Sequence, residues 1–79
     1  MMSFIRYIFP PKTLPIGSLW VLEDSYGNPF DHIIKYKVVD VKNGYVKYEV
    51  RGRDNAFISE DSTALRSFYA FFREIKETI

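Results

Sequence analysis

Few residues of this chain have the types and spacing that catalysis or metal binding requires. His32 is the only histidine, and a histidine acting as a general base needs a nucleophile and an orienting group beside it. A lone titratable residue is a weak signal of catalysis, so we expect no catalytic residue and a protein that is not an enzyme. The chain has no cysteine, and one histidine with scattered carboxylates does not make the ligand set of a metal site. We therefore expect neither a metal nor a cofactor.

The strongest candidate for binding is one face of a predicted β-hairpin, on which tyrosines alternate with cations. Its candidate binding residues are Tyr36, Lys42, Tyr45, Lys47 and Arg51. Rings that stack on bases and cations that hold phosphates are the combination by which many proteins bind nucleic acids. The same residues would also form an ordinary solvated sheet face or a contact with another protein. The net charge of only +1 favours these two alternatives over nucleic acid.

Trp20 and the loop from Tyr26 to Phe30 form a second candidate site. Exposed aromatic side chains at the mouth of a small barrel can bind a peptide, so Trp20 and Phe30 join the candidate binding residues. The alternative is that Trp20 belongs to the core, and we favour it because a small domain needs its largest rings inside.

The hairpin itself follows from Asn43-Gly44, which lies between two β-prone runs and predicts a type I′ turn. A two-residue loop pairs Lys42 with Tyr45. Continued without interruption, this register pairs Tyr36 with Arg51. Because side chains alternate along a strand, it also predicts which residues share a face. The core face would carry Val39, Val41, Val46, Tyr48 and Val50, with Lys37 at its end; the polar face would carry Tyr36, Val38, Asp40, Lys42, Tyr45, Lys47, Glu49 and Arg51.

Around the hairpin, the sequence predicts further strands and one helix in a single domain. Residues 1–16 form an N-terminal strand or arm, residues 17–58 the sheet core, and residues 59–79 a C-terminal helix. Apolar residues at helical spacing place that helix from about Asp61 to about Glu77, although residues 71–79 could instead close the sheet as a strand. The fold class is mainly β (α+β): a small antiparallel sheet or a partly open barrel of the Src-homology-3 or Tudor kind, the barrel being our first choice.

Three segments carry a resemblance to a known group of proteins: Gly17-Ser18-Leu19-Trp20, Asn28-Pro29-Phe30 and the hairpin from Val38 to Tyr48. They resemble small phage and prophage proteins of unknown function, with a Gly-x-x-Trp strand, a Pro-Phe loop and a Val-x-Asp-Val-Lys-x-Gly-Tyr-Val-x-Tyr hairpin. The match covers about residues 17–75. It implies a small, phage-borne accessory protein that acts by binding, and it supplies no catalytic residues.

These observations leave three classes of function. The first choice is a non-enzymatic binding module that engages or inhibits a host protein in the host cytoplasm, since the chain has no cysteine and shows no secretory or membrane signal. The second is binding of a nucleotide or nucleic acid, including sequestration of a nucleotide signal, through the polar hairpin face. An enzyme is the least favoured. Aromatic residues make up 18% of the chain, and such a surplus also predicts a homo-oligomer that associates through an aromatic surface.

Overall fold

The computed structural model describes residues 4–24, 26–31 and 33–75, and its centre is a five-stranded antiparallel sheet. The strands are β1 (Leu19–Leu22), β2 (Lys35–Lys42), β3 (Tyr45–Arg51), β4 (Phe57–Ala64) and β5 (Phe72–Ile75). The helices are α1 (Phe4–Ile8) and α2 (Leu65–Phe71), and a 3₁₀ turn spans Arg53–Asn55. The strand order is β4-β3-β2-β1-β5. The predicted mainly β (α+β) fold with a small antiparallel sheet is confirmed, but β4 and β5 do not pair, so the sheet is not a closed barrel.

The β2–β3 hairpin has the predicted turn but not the whole predicted register. Asn43 and Gly44 have φ angles of 54° and 77°, as a type I′ turn requires. The predicted pairs hold from the turn to Asp40, beyond which the register shifts by one residue. Val39 is the extra residue of a β-bulge, which reverses the faces of the residues that precede it. The prediction that Val38 lies on the polar face is therefore wrong, because Val38 is completely buried.

The predicted C-terminal helix is wrong at both ends. The segment Phe57–Ala64 pairs with β3 along its length, so residues 59–64, which the sequence placed in the helical segment, lie in a strand instead. Helix α2 then lasts only seven residues. At Phe72 the chain becomes extended, in agreement with the alternative of a strand within residues 71–79, and pairs with β1 from Leu22 to Leu19. β1 offers a free edge whose backbone groups need partners. Residues 76–79, which the sequence also placed in this helix, lie outside the described residues.

The predicted N-terminal strand or arm contains a short helix, α1, that packs against α2. The guanidinium of Arg6 lies 3.8 Å from the centre of the Tyr69 ring, and its Nε donates a hydrogen bond of 2.7 Å to the Tyr69 carbonyl. A longer bond of 3.4 Å joins Arg6 Nη2 to the Phe72 carbonyl. The last carbonyls of a helix lack partners within it, and a basic side chain can satisfy them. Arg6 therefore links α1 to the C-terminal end of α2, and the predicted strand or extended arm is a helix at this point.

The core lies between α2 and one face of the sheet, and aromatic rings fill most of it. Phe68 of α2 is completely buried. Its ring stacks on that of Phe72, with the ring centres 4.3 Å apart, and it contacts Trp20 edge-on, with the ring centres 5.3 Å apart. Val38 and Val46 are also completely buried beneath these rings. The indole nitrogen of Trp20 donates to the Ser18 hydroxyl at 2.8 Å, so this ring is buried without leaving its donor unsatisfied.

Candidate functional site: a cationic pocket on the open face of the sheet

The sheet face turned away from α2, called the open face here, is defined by the alternation of β3. Val46 and Tyr48 point into the core, so Tyr45, Lys47, Glu49 and Arg51 point to the other side. Strand pairing adds Lys42 opposite Tyr45 and Lys37 opposite Glu49 on that same face. The open face is therefore rich in charged side chains and lies next to the β3–β4 turn.

Four of the seven predicted binding residues come together on the open face. They are Lys42, Tyr45, Lys47 and Arg51. Arg51 and Glu49 form an ion pair, and Lys47 Nζ lies 3.3 Å from Glu60 Oε1 of β4. Lys47 and Arg51 are thus each paired with a carboxylate. Tyr45, near the turn, is 60% exposed.

Tyr36, Trp20 and Phe30 lie elsewhere. The bulge turns Tyr36 into the core, where its ring centre is 4.8 Å from Phe72 and 5.8 Å from Tyr48. The prediction that Tyr36 shares a face with Lys42 and Arg51 is therefore wrong. Trp20 is 2% exposed and offers no surface to a partner, as the core alternative predicted. Phe30 is exposed in the loop after β1, anchored by a hydrogen bond from its backbone N–H to the Leu22 carbonyl at 2.8 Å.

Burial has a measurable consequence for two of the core tyrosines. It raises the pKa of Tyr36 above the usual 10.0, with a further contribution from the charge of Asp31. Burial also raises the pKa of Tyr48, with smaller contributions from Asp61 and Tyr36. In the unfolded chain both phenols ionise near their ordinary pKa, whereas the folded chain holds these protons to higher pH. The free energy of unfolding should therefore be unaffected below that pKa and fall as the pH rises above it.

Urea unfolding at a series of alkaline pH values measures this fall. The double variant Tyr36→Phe/Tyr48→Phe removes both phenols and should show a clearly shallower decline above about pH 10. An equally steep decline in the variant would mean that other groups cause it.

A pocket lies on the open face at the end of the hairpin away from the Asn43-Gly44 turn. It has a volume of about 650 Å³, within the range of roughly 300–1,000 Å³ that is usual for small-molecule sites. Four cations and one carboxylate line it, together with two apolar side chains and three small or polar residues. The lining residues are Lys35, Lys37, Arg51, Arg53, Asp54, Leu19, Ile33, Gly17, Gly52 and Asn55.

The wall that carries Arg53 is a hydrogen-bonded turn. Gly52 N–H donates to the Ala56 carbonyl at 2.8 Å, and Ala56 N–H donates back to the Arg53 carbonyl at 3.1 Å. Arg51 Nη1 donates to the Asn55 carbonyl at 3.2 Å, which ties the turn to β3. The turn is therefore held in place before any ligand arrives.

Sequence reasoning found only Arg51 among the pocket cations, and the bulge explains the omission of two others. With an uninterrupted register, alternation places both Lys35 and Lys37 on the core face. The shifted register instead pairs Lys35 with Arg51 and Lys37 with Glu49, which brings the lysines to the face of Arg51. A signal that could have revealed the pocket was the i, i+2 spacing of its cations. It occurs in Lys35-x-Lys37 at the start of β2 and in Arg51-x-Arg53 at the end of β3 and the turn after it.

The loop that carries Phe30 is also held by specific hydrogen bonds. Asp24 Oδ1 accepts the backbone N–H groups of Tyr26 at 2.8 Å and Asn28 at 3.0 Å. These two bonds lower the pKa of Asp24, the bond from Asn28 having the larger effect. Arg73 Nη1 donates to the Gly27 carbonyl at 3.4 Å. The loop tip is left accessible, with Tyr26 87% exposed.

Comparison with known proteins does not identify the chain further. No protein-family model, curated protein or solved structure matches it. Among the described residues, no cluster of histidine and acidic side chains is suited to hold a metal ion, and no helix is long and apolar enough to cross a membrane. His32, the sole histidine, lies outside the described residues. The resemblance to phage and prophage proteins stays a prediction.

Proposed function

We propose that this chain is a non-enzymatic binding module whose ligand is a phosphate-bearing small molecule of nucleotide size. The observation that carries the proposal is the pocket on the open face, a volume of about 650 Å³ lined by four cations, of which Arg51 is paired with Glu49, and by a single carboxylate. Such an excess of positive charge in a concave site attracts anions and raises their local concentration. The sequence predicted nucleotide binding over the whole polar face of the hairpin, whereas we propose a site at one end of that face.

Two kinds of side chain in the pocket match the two halves of a nucleotide. Lys37 and Arg53 form no ion pair within the described part of the chain, so their charges are available to phosphate oxygens, to which hydrogen bonds from cations are strong. Leu19 and Ile33 provide an apolar wall of the kind that holds a flat ring in many small-molecule sites. A free nucleotide fits this arrangement better than a polymer, which needs an extended groove.

We place this activity in the cytoplasm, in a small accessory protein carried by a phage, with sequestration of a nucleotide signal as its effect. A host-protein partner is the second candidate, and the exposed aromatics Tyr26 and Phe30 favour it, at 87% and 68% exposure. Aromatic side chains of this kind are enriched at protein interfaces. Association of copies of the chain through its aromatic surface belongs to the same second candidate.

Isothermal titration calorimetry tests the nucleotide proposal. The ligands are the mono- and triphosphates of adenosine, guanosine, cytidine and uridine, with the free nucleosides for comparison. We expect at least one nucleotide to bind, its nucleoside to bind far more weakly, and the affinity to fall as salt is added. Lys37→Gln and Arg53→Gln should each weaken binding roughly tenfold, because each removes a charged hydrogen-bond donor to phosphate.

Lys42→Gln is the matched control, since Lys42 lies on the same face but does not line the pocket. It should change the affinity by less than about twofold. If it weakens binding as much as Lys37→Gln does, the open face and not the pocket binds the ligand. If no nucleotide binds at all, the proposal fails.

A further inference from the structure

We infer that the outer edge of β4 pairs with an extended, basic segment of another protein, which adds a sixth strand to the sheet. This inference does not depend on the cationic pocket and concerns a different surface. β4 is one of the two edge strands of the described sheet and pairs with β3 on one side only. Its residues 57–62 are all exposed, and no other strand of the described chain lies along its outer side. Backbone groups at such an edge are available to a partner strand.

The usual protections against strand addition are weak in β4. Its sequence, FISEDSTA, contains neither proline nor lysine, which are the residues that commonly block an edge. The one irregularity of its pairing lies at the start, where the register shifts next to Arg51. From Ser59 to Ala64 the pairing with β3 is regular, a length of roughly 20 Å at about 3.3 Å per residue. That length accommodates a partner strand of about six residues.

The backbone at the centre of β4 shows which groups face outward. Leu65 N–H, directly after the strand, donates inward to the Gly44 carbonyl. Since backbone groups alternate sides along a strand, Ser62 N–H points outward. Its acceptor is the neighbouring Asp61 carboxylate, at 2.8 Å. A cation that attracts this carboxylate would free Ser62 N–H for a carbonyl of the incoming strand.

Charge decides the chemistry of the partner. Glu60 lies opposite Glu49 on the open face, whereas Asp61 lies opposite Tyr48 and is on the α2 side. The edge therefore carries one acid on each face at its centre. Glu60 also forms the exposed ion pair with Lys47, and because exposed pairs are weak, a partner cation can still compete for its carboxylate. Two adjacent basic residues in an extended segment also point to opposite faces, so they would meet both acids. A second copy of β4 would instead bring like charges together, which is unfavourable in paired strands.

Fluorescence anisotropy with labelled peptides tests this inference on the full chain. The probe is the peptide Thr-Val-Lys-Arg-Val-Thr, compared with Thr-Val-Glu-Glu-Val-Thr and with the Lys-Arg peptide carrying N-methyl groups on alternate residues. We expect only the unmodified Lys-Arg peptide to bind. The variant Glu60→Lys/Asp61→Lys should weaken its binding at least about tenfold and should gain affinity for the Glu-Glu peptide.

The variant Asp40→Lys/Glu74→Lys is the matched control, because it makes the same change in net charge away from β4. It should leave binding of the Lys-Arg peptide within about twofold of wild type. Equal binding of the N-methylated peptide would show attraction by charge alone and overturn the inference. If the unmodified Lys-Arg peptide does not bind, the inference is also overturned. A dimer in light scattering that Glu60→Lys/Asp61→Lys dissociates would assign the edge to a second copy instead.

Discussion

Val38→Asp is expected to unfold the protein or to destabilise it by at least about 3 kcal/mol. Val38 is completely buried against the aromatic core, and an aspartate is too short to bring its carboxylate to water. A buried, unpaired charge costs several kcal/mol, a large part of the roughly 5–15 kcal/mol by which domains are stable. Urea unfolding followed by circular dichroism measures the loss, and the soluble yield reports complete unfolding.

The neighbouring variant Val39→Asp is the control that makes this result specific to the bulge. Val39 is only partly buried and lies outside the core cluster, so the same substitution there should cost about 1 kcal/mol or less. Without the bulge, Val39 would be in the core and Val38 would face solvent. If Val39→Asp were the more destabilising variant, the strands would pair in the uninterrupted register, and Lys37 would not line the pocket.

Phe68→Ala is expected to cost about 3–5 kcal/mol of unfolding free energy, the usual range for a large buried ring. Phe68 is the centre of the ring cluster. Its ring stacks on that of Phe72, and its ring centre lies 5.3 Å from that of Trp20 and 5.4 Å from that of Tyr48. Its removal leaves a cavity between α2 and the sheet that the surrounding rings cannot fill without moving. Thermal and urea unfolding measure the change in stability.

Two further variants separate a cavity from a general effect on the helix. Phe71→Ala changes the same residue type in the same helix, but Phe71 is 39% exposed and should lose only about 1 kcal/mol. Phe68→Leu keeps most of the volume and should fold even if Phe68→Ala does not, at a cost of roughly 1–2 kcal/mol. Comparable losses for Phe68→Ala and Phe71→Ala would contradict the core position of α2.

The sequence by itself determined the features that depend on neighbouring residues. Asn43-Gly44 can adopt the two positive φ angles of the turn at low cost, so the hairpin and its first pairs, as far as Asp40, were predictable. Alternation along β3 then placed Lys47 and Arg51 on one face. The burial of Trp20 was also favoured in advance, because a small core needs its largest ring.

Only the tertiary structure decided the features that depend on distant partners. The bulge at Val39 buries Val38 in the core, packs Tyr36 against Phe72 and brings Lys35 and Lys37 to the pocket. Local sequence carries no signal for such an extra residue in a strand. Similarly, Phe57–Ala64 is a strand because β3 offers it a pairing edge. β1 does the same for Phe72–Ile75, whose apolar spacing alone suited a helix. Hydrogen bonding to a partner strand outweighs such local preferences, since a buried edge left unpaired is costly.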